Sequence, residues 1–361
     1  MNTLTKAATP AEKIILKCRE LYRKYGYRHF LMSKFEDYDL YANNRSFLRS
    51  DSVLTFTDRS GRLKALKPDV TLSIVKNLGE DETLPVKVFY NENVYRPSDG
   101  GKEFSEIMQL GLESVGDGDL YSTAEVIMLA QMSLSEISTS HILDISHIGL
   151  LSELISKAGL DGSAKTDLTD AIRRKNISAI KDTVSDAVLA DKLCRLTAAY
   201  TTLSKALPII AELLPESEAL SELRGICDIL DASGLSDQVY FDFSLLGDLS
   251  YYNGIIFQGF VDGAPSAVLS GGRYDPLLKR FGRNCGACGF AIYLDRLTYL
   301  EPRSKNYDAD VLLIYGQNDS PVRIAKAVDS LISDGNTVLT ARSQPNGMRF
   351  GKIINISEVT L

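Results

Sequence analysis

The chain has 361 residues, 44% of them hydrophobic and 24% charged, the balance of an ordinary globular protein of about two to three domains. A net charge of −7, with no Lys/Arg cluster toward the C-terminus, argues against a surface built for nucleic acid. No apolar run approaches the roughly 20 residues of a membrane span, and Met1 to Pro10 lacks a signal-peptide core, so a cytoplasmic protein is expected.

In chain order, Thr9-Pro10-Ala11-Glu12 is a helix start: Thr9 caps, Pro10 suits the first turn, and Glu12 completes a capping box. Ile14, Ile15, Cys18, Leu21, Tyr22 and Tyr25 follow at helical spacing, with Gly26 behind them. Val53–Thr57 and Arg62–Leu66 read as strands around a turn at Asp58–Gly61, and Pro68–Asn77 as a helix. Val86–Tyr95 alternates as a strand, Pro97–Gly101 is a turn, and Ile107–Val115 is the returning strand. From about 148 to 235 aromatics are scarce and Leu, Ala, Ser and Lys dominate, which predicts a helical block. Strands resume at Tyr240–Leu245, Tyr252–Phe260, Ser266–Leu269 and Ala287–Leu294. A strand series interrupted by helices and then resumed implies one sheet with an inserted subdomain. Beyond Asp308, Val311–Tyr315, Ser320–Ser333, Val338–Ala341 and Ile353–Ile356 predict a small α/β unit.

Five cysteines show no disulfide framework. Cys285-Gly-Ala-Cys288 has the spacing of a zinc or redox pair, but with only three histidines no further ligand set completes it. Small buried residues at a strand start are the expected reading, with no metal and no cofactor.

Five separated segments stand out: Leu66-Lys-Pro-Asp-Val-Thr71, Val94-Tyr-Arg96 with Gln109, Glu113 and Gly116, Asp242 to Gly254 with Tyr251 and Tyr252, Leu269-Ser-Gly-Gly-Arg-Tyr-Asp275, and Gly289 to Arg296. Asp69 and Glu113 accept hydrogen bonds from an ammonium or an N–H. Thr71 and Gln109 donate or accept, and the two tyrosines offer hydroxyls and ring faces. Gln109 and Glu113, four apart on a strand, share one face. Each residue also has a plainer use. Asp69 suits a helix cap, Gln109 and Glu113 a solvated strand face, and Tyr251 and Tyr252 a core.

In this order the segments resemble histidyl-tRNA synthetases over roughly residues 10 to 300. The resemblance implies an α+β fold, a class II synthetase-like antiparallel sheet flanked by helices. Its core is 1–300 with the helical insertion at about 148–235, followed by a truncated α/β unit at 308–361. It further implies that Asp69, Thr71, Gln109, Glu113, Tyr251 and Tyr252 line a histidine pocket, and that Arg96 and Arg296 are remnants of a nucleotide site. Departures fall on the ATP side. Gly247 stands where the synthetase signature has an arginine, and Glu103 and Ser105 (or Lys102, if a gap is moved) replace two loop arginines. Transfer to ATP builds negative charge that such cations stabilise. Ser33 replaces a proline of the dimer contact, and 308–361 is short for an anticodon-binding domain.

The combination closely resembles the family of ATP phosphoribosyltransferase regulatory subunits. That resemblance implies a protein with no catalytic residue of its own. It would dimerise, join a short-form catalytic subunit in a hetero-oligomer as large as a hetero-octamer, and take L-histidine as effector, with no tRNA and no membrane partner. The alternatives are an active histidyl-tRNA synthetase and a stand-alone histidine sensor.

Overall fold

The computed structural model describes residues 8–44, 48, 53–78, 85–97, 103–116, 118–247, 251–300 and 307–359. The chain divides into two compact units, Met1–Leu300 and Glu301–Leu361. The expected turn at Pro97–Gly101, Lys102 and the Asp248–Ser250 part of the tyrosine segment lie outside the described residues, apart from Pro97.

The first unit opens with α1 (Pro10–Lys24), whose capping box is made as its sequence predicts: Glu12 N donates to the Thr9 hydroxyl at 3.2 Å, and Thr9 N to the Glu12 carboxylate at 2.7 Å. Its Ile14, Ile15, Cys18 and Tyr22 are buried, and Gly26 ends the helix at a φ of 83°. Then follow β1 (Arg28–His29), β2 (Phe35–Asp37), β3 (Thr55–Thr57), β4 (Leu63–Leu66) and α2 (Val70–Asn77). The long hairpin β5 (Val86–Pro97) and β6 (Phe104–Gly116) comes next, then α3 (Leu120–Ile137) and β7 (His141–His147). The insertion contains α4 (Ile148–Lys157), α5 (Gly162–Arg173), α6 (Ile177–Thr183), α7 (Ala187–Ala198), β8 (Tyr200–Thr202), α8 (Leu203–Leu213) and α9 (Glu218–Ala232). The chain returns through β9 (Val239–Asp242), β10 (Ile255–Val261), β11 (Leu269–Arg273), α10 (Asp275–Arg280) and β12 (Gly286–Tyr293).

Nine strands form one sheet in the order β1-β5-β6-β12-β11-β10-β7-β9-β8. From β5 to β7 every pairing is antiparallel, whereas β1·β5 and β7·β9 are parallel. β2, β4 and β3 form a small separate antiparallel sheet. The main core joins α1 and α3 to the helices of the insertion and to Phe257, Phe290 and Ile292 of the sheet. α3 is buried along most of its length, which is why its sequence reads as apolar almost all round.

Several predicted elements shift, among them β10, which starts at Ile255 rather than Tyr252, and the strand expected at Ile353–Ile356, which spans Phe350–Asn355. β11 starts at Leu269 and runs through Gly271-Gly272, beyond the predicted Ser266–Leu269. Glycine is a weak strand former, but here close approach demands it: a Cβ on Gly271 would stand 2.4 Å from the Gly289 carbonyl oxygen. β9 stops at Asp242 rather than Leu245, because the Asp242 carboxylate accepts from Ser244 N at 2.9 Å and from its hydroxyl at 2.7 Å, forming a turn. The helical block is broken by β8, which pairs with β9 and stacks Tyr200 on Tyr240 at 5.3 Å. Tyr200-Thr-Thr202 of β8 favours a strand locally, against the helical composition of the surrounding block.

Cys288 is buried on β12 opposite Ser114, and burial pushes its thiol well up. Among the described residues no group of three or more His, Cys, Asp and Glu is placed to hold a metal. No helix among them is long and apolar enough to cross a membrane.

The second unit is a parallel sheet, β14 (Val338–Ala341), β13 (Ala309–Ile314) and β15 (Phe350–Asn355) in that order, with α11 (Pro321–Ser333) between β13 and β14 in the chain. Leu313, Ala327 and Ile356 form its small core.

Candidate functional site

A cleft of about 560 Å³, its open mouth included, lies over β5, β6, β12 and β11 of the antiparallel sheet. Asp69 and Thr71 come from the start of α2, Gln109 and Glu113 from β6, and Tyr251 and Tyr252 from the segment before β10. All six residues expected from the sequence therefore meet in one cavity, together with Arg96.

Glu113 lies at the floor, 2% exposed. Thr71 Oγ1 donates to one carboxylate oxygen at 2.7 Å, and the Tyr274 hydroxyl to the other at 2.6 Å. Burial pushes the Glu113 carboxyl up to about 8, against the pull of these two hydroxyls. The space for it is made by Gly289, its partner across β6 and β12, where a Cβ would stand 1.7 Å from the Glu113 oxygen. Gln109, four residues earlier on the same face, is also buried and presents both amide donors and an acceptor.

Asp69 does two jobs. Its Oδ1 accepts from Leu72 N at 2.9 Å and caps α2, while its Oδ2 lies 3.4 Å from Arg96 Nη2. Arg96 Nε donates to the Pro68 carbonyl at 2.7 Å, so this guanidinium clamps the cap. The ring of Tyr251 meets that of Tyr252 at 4.7 Å and 68°, and that of Tyr274 at 5.8 Å. Burial holds the Tyr251 phenol far above its ordinary value, so it remains a neutral hydroxyl.

Tyr90, Tyr274, Tyr293 and Ser270 also line the cleft; Ser270, Tyr274 and Tyr293 lie in segments noted in the sequence but were not named as site residues, and Tyr90 lies outside them. A signal existed for Tyr90. It pairs with Gly111, where a Cβ would stand 2.5 Å from the Tyr90 hydroxyl, and a glycine opposite a tyrosine on a buried strand marks such a close fit. Arg296 is not part of the lining. Its guanidinium stacks 4.5 Å from the ring centroid of Tyr293 and donates to the Ala267 carbonyl at 2.6 Å.

The histidyl-tRNA synthetase family model matches residues 2–297. The ATP phosphoribosyltransferase regulatory subunit of Caldanaerobacter subterraneus subsp. tengcongensis is 31% identical over 339 residues, 89% of this chain and 87% of that protein. The chain belongs to the histidyl-tRNA synthetase-like family of ATP phosphoribosyltransferase regulatory subunits. A solved protein described as an ATP phosphoribosyltransferase regulatory subunit/histidyl-tRNA synthetase from Bacillus halodurans superposes with a TM-score of 0.74 at 24% identity, over 96% of this chain and 93% of that one. A chain of the ATP phosphoribosyl transferase (HisG:HisZ) complex from Thermotoga maritima gives 0.62 at 20% identity, over 78% and 96%. The class II synthetase-like α+β fold and the family resemblance read from the sequence are thereby established.

Against this regulatory-subunit family, Gly247 acquires a structural meaning. It sits at a φ of 54°, in the left-handed region, and a Cβ there would meet Tyr252 Cδ2 at 3.3 Å. A side chain at 247 would be strained as well as crowded. Ser105 lies within β6 opposite Arg96, and Glu103 just precedes that strand. The residues at these two positions supply no cation to the cleft.

Proposed function

We propose that this chain is the regulatory subunit of an ATP phosphoribosyltransferase, the first step of histidine biosynthesis, and that it holds L-histidine in the cleft around Glu113. The observation that carries this reading is the asymmetry of the cleft. Its amino-acid side keeps Asp69, Thr71, Gln109, Glu113 and the two tyrosines in one cavity. On its ATP side Gly247 stands at the arginine position, and Arg96 is engaged with Asp69 and the Pro68 carbonyl.

The reaction itself belongs to a short-form catalytic subunit in this reading, and no residue here is catalytic. The chain dimerises and joins that subunit in a hetero-oligomer as large as a hetero-octamer, in the cytoplasm, without tRNA. Histidine controls the partner only if it binds one arrangement of the complex better than another. Its recognition by buried, hydrogen-bonded groups supplies selectivity among amino acids.

Reconstitution with a short-form catalytic subunit tests the reading. Transferase activity is expected to require this chain and to fall as histidine is added, while the chain alone shows no histidine-dependent exchange of pyrophosphate into ATP. Exchange activity would instead support a synthetase, and histidine binding without any effect on the partner a stand-alone sensor.

A further inference from the structure

A chain of polar contacts leads from the cleft wall into the helical insertion, and cleft binding does not require it. Asn253 follows Tyr252. Its Nδ2 donates to Asp275 Oδ2 at 3.1 Å, and Asp275 N donates back to Asn253 Oδ1 at 3.1 Å. Asp275 also accepts from Arg273 Nε at 2.8 Å and from Ala287 N at 3.0 Å. The stem of Arg273 runs against the backbone of the tyrosine segment, where a Cβ on Gly254 would stand 3.1 Å from Arg273 Cδ. The far arm of the guanidinium, Nη1, lies 3.9 Å from Glu222 Oε1 on α9.

At Glu222 the contacts continue on one side and stop on the other. Oε2 is 3.0 Å from His147 Nε2. His147 Nδ1 accepts from Gly149 N at 3.0 Å, which leaves the ring proton on Nε2 to be donated to Glu222. His147 ends β7 and caps α4, so this pair ties together two helices of the insertion. Oε1 is buried and has no hydrogen-bond donor among the described residues. A buried carboxylate oxygen without a donor calls for an explanation, and the nearest guanidinium stops about one ångström short of a hydrogen bond.

We propose that Asn253, Asp275, Arg273, Glu222 and His147 form a relay that reports occupancy of the cleft to the helical insertion, with the Arg273–Glu222 contact as its make-or-break element. A shift of the Tyr252–Asn253 backbone carries Asp275 and the arginine with it, since they are bonded to it. Closing the last gap supplies the missing donor to Oε1 and holds α9 and α4 more firmly. Two discrete arrangements of one contact give the two states that coupling needs. The relay rests on the reading of the cleft as a histidine site.

The test is amide hydrogen exchange on the full-length chain, with histidine affinity measured in parallel by calorimetry. With wild type, histidine is expected to slow exchange in α9 and α4 on the order of tenfold, the factor that one hydrogen bond of ordinary net strength supplies. In Glu222→Gln most of that protection should disappear, because a neutral amide does not draw in the guanidinium, and by reciprocity the affinity should fall by no more than the same factor of about ten. Arg273→Lys, with a shorter reach, should behave alike and serves if the first variant folds poorly. Protection that persists in both variants overturns the relay, as does tight binding to wild type with no change in α9. Absence of histidine binding to wild type removes the ligand reading itself and the relay with it.

Discussion

The Tyr274 hydroxyl donates to Glu113 across 2.6 Å, joining residues 161 positions apart and tying the end of β11 to the floor of the cleft. With Thr71 on the other oxygen, the carboxyl is held in one orientation before any ligand arrives.

This arrangement has a pH signature. Burial raises Glu113 from 4.5 to about 8, so the folded protein binds this proton more tightly than the unfolded chain. Its stability contribution is therefore fully present below the ordinary carboxylate range and is lost as pH rises through about 8. Between those limits the loss approaches about 1.4 kcal/mol for each pH unit. Thermal melts from pH 5 to 8.5 should show a decline in wild type that Glu113→Gln flattens. Equal slopes in the two proteins would count against a raised carboxyl. Salt-bridging the histidine ammonium requires Glu113 to ionise, so at pH 8.5 the same variant should weaken histidine binding by roughly 10–100-fold, the range of a hydrogen bond to a charged group.

Asp69 caps a helix and also faces the ligand space, and two substitutions separate these roles. Asn caps as well as Asp but leaves the Arg96 guanidinium without its carboxylate, so Asp69→Asn should lower the melting temperature less than Asp69→Ala does while weakening histidine binding. Asp69→Ala loses both, with about 1 kcal/mol from the cap and the Arg96 guanidinium left without its carboxylate. If calorimetry found full affinity in Asp69→Asn, the carboxylate would be only a cap.

The sequence and the structure agree best where local chemistry and tertiary need coincide. The Thr9–Glu12 box, the β5–β6 hairpin and the strand β14 follow from capping and alternation alone. The six cleft residues were legible through the resemblance, since in isolation each also suits a core, a cap or a solvated face. What was not legible depended on distant partners. Tyr90 becomes a cleft wall because Gly111 on the neighbouring strand makes room, Tyr274 because its hydroxyl reaches Glu113, β8 pairs with β9 beside it, and Arg296 is drawn to Tyr293 and the Ala267 carbonyl. Those are pairwise tertiary facts, and no local pattern encodes them.

Two residues before Asp69, the fully buried Lys67 ammonium donates to Glu92 at 2.9 Å, and its backbone bonds Lys34 and Tyr95. Burial pulls the lysine down, against the pull of Glu92. Removing one partner strands a buried charge, so Glu92→Ala should destabilise by about 3–5 kcal/mol. Replacing both partners, Lys67→Met with Glu92→Leu, should recover much of that loss, because desolvation of the charges is then removed too. Denaturant melts of the two single variants and the double variant measure the coupling. Strict additivity would mean that the pair contributes nothing as a pair.

Gly247→Arg tests whether the missing arginine alone separates this chain from an activating enzyme. The glycine sits at a φ of 54° with Tyr252 3.3 Å from a built Cβ. Any L side chain there carries about 1–2 kcal/mol of left-handed strain. Gly247→Ala carries the same strain without the charge, so both variants should melt a few degrees lower and by similar amounts. Neither should gain histidine-dependent exchange of pyrophosphate into ATP. Glu103 and Ser105 still supply no cation, and Arg96 remains engaged with the Pro68 carbonyl and Asp69. Developing phosphate charge needs several preorganised donors together. Measurable exchange in Gly247→Arg but not in Gly247→Ala would mean that this one position had held the chemistry back.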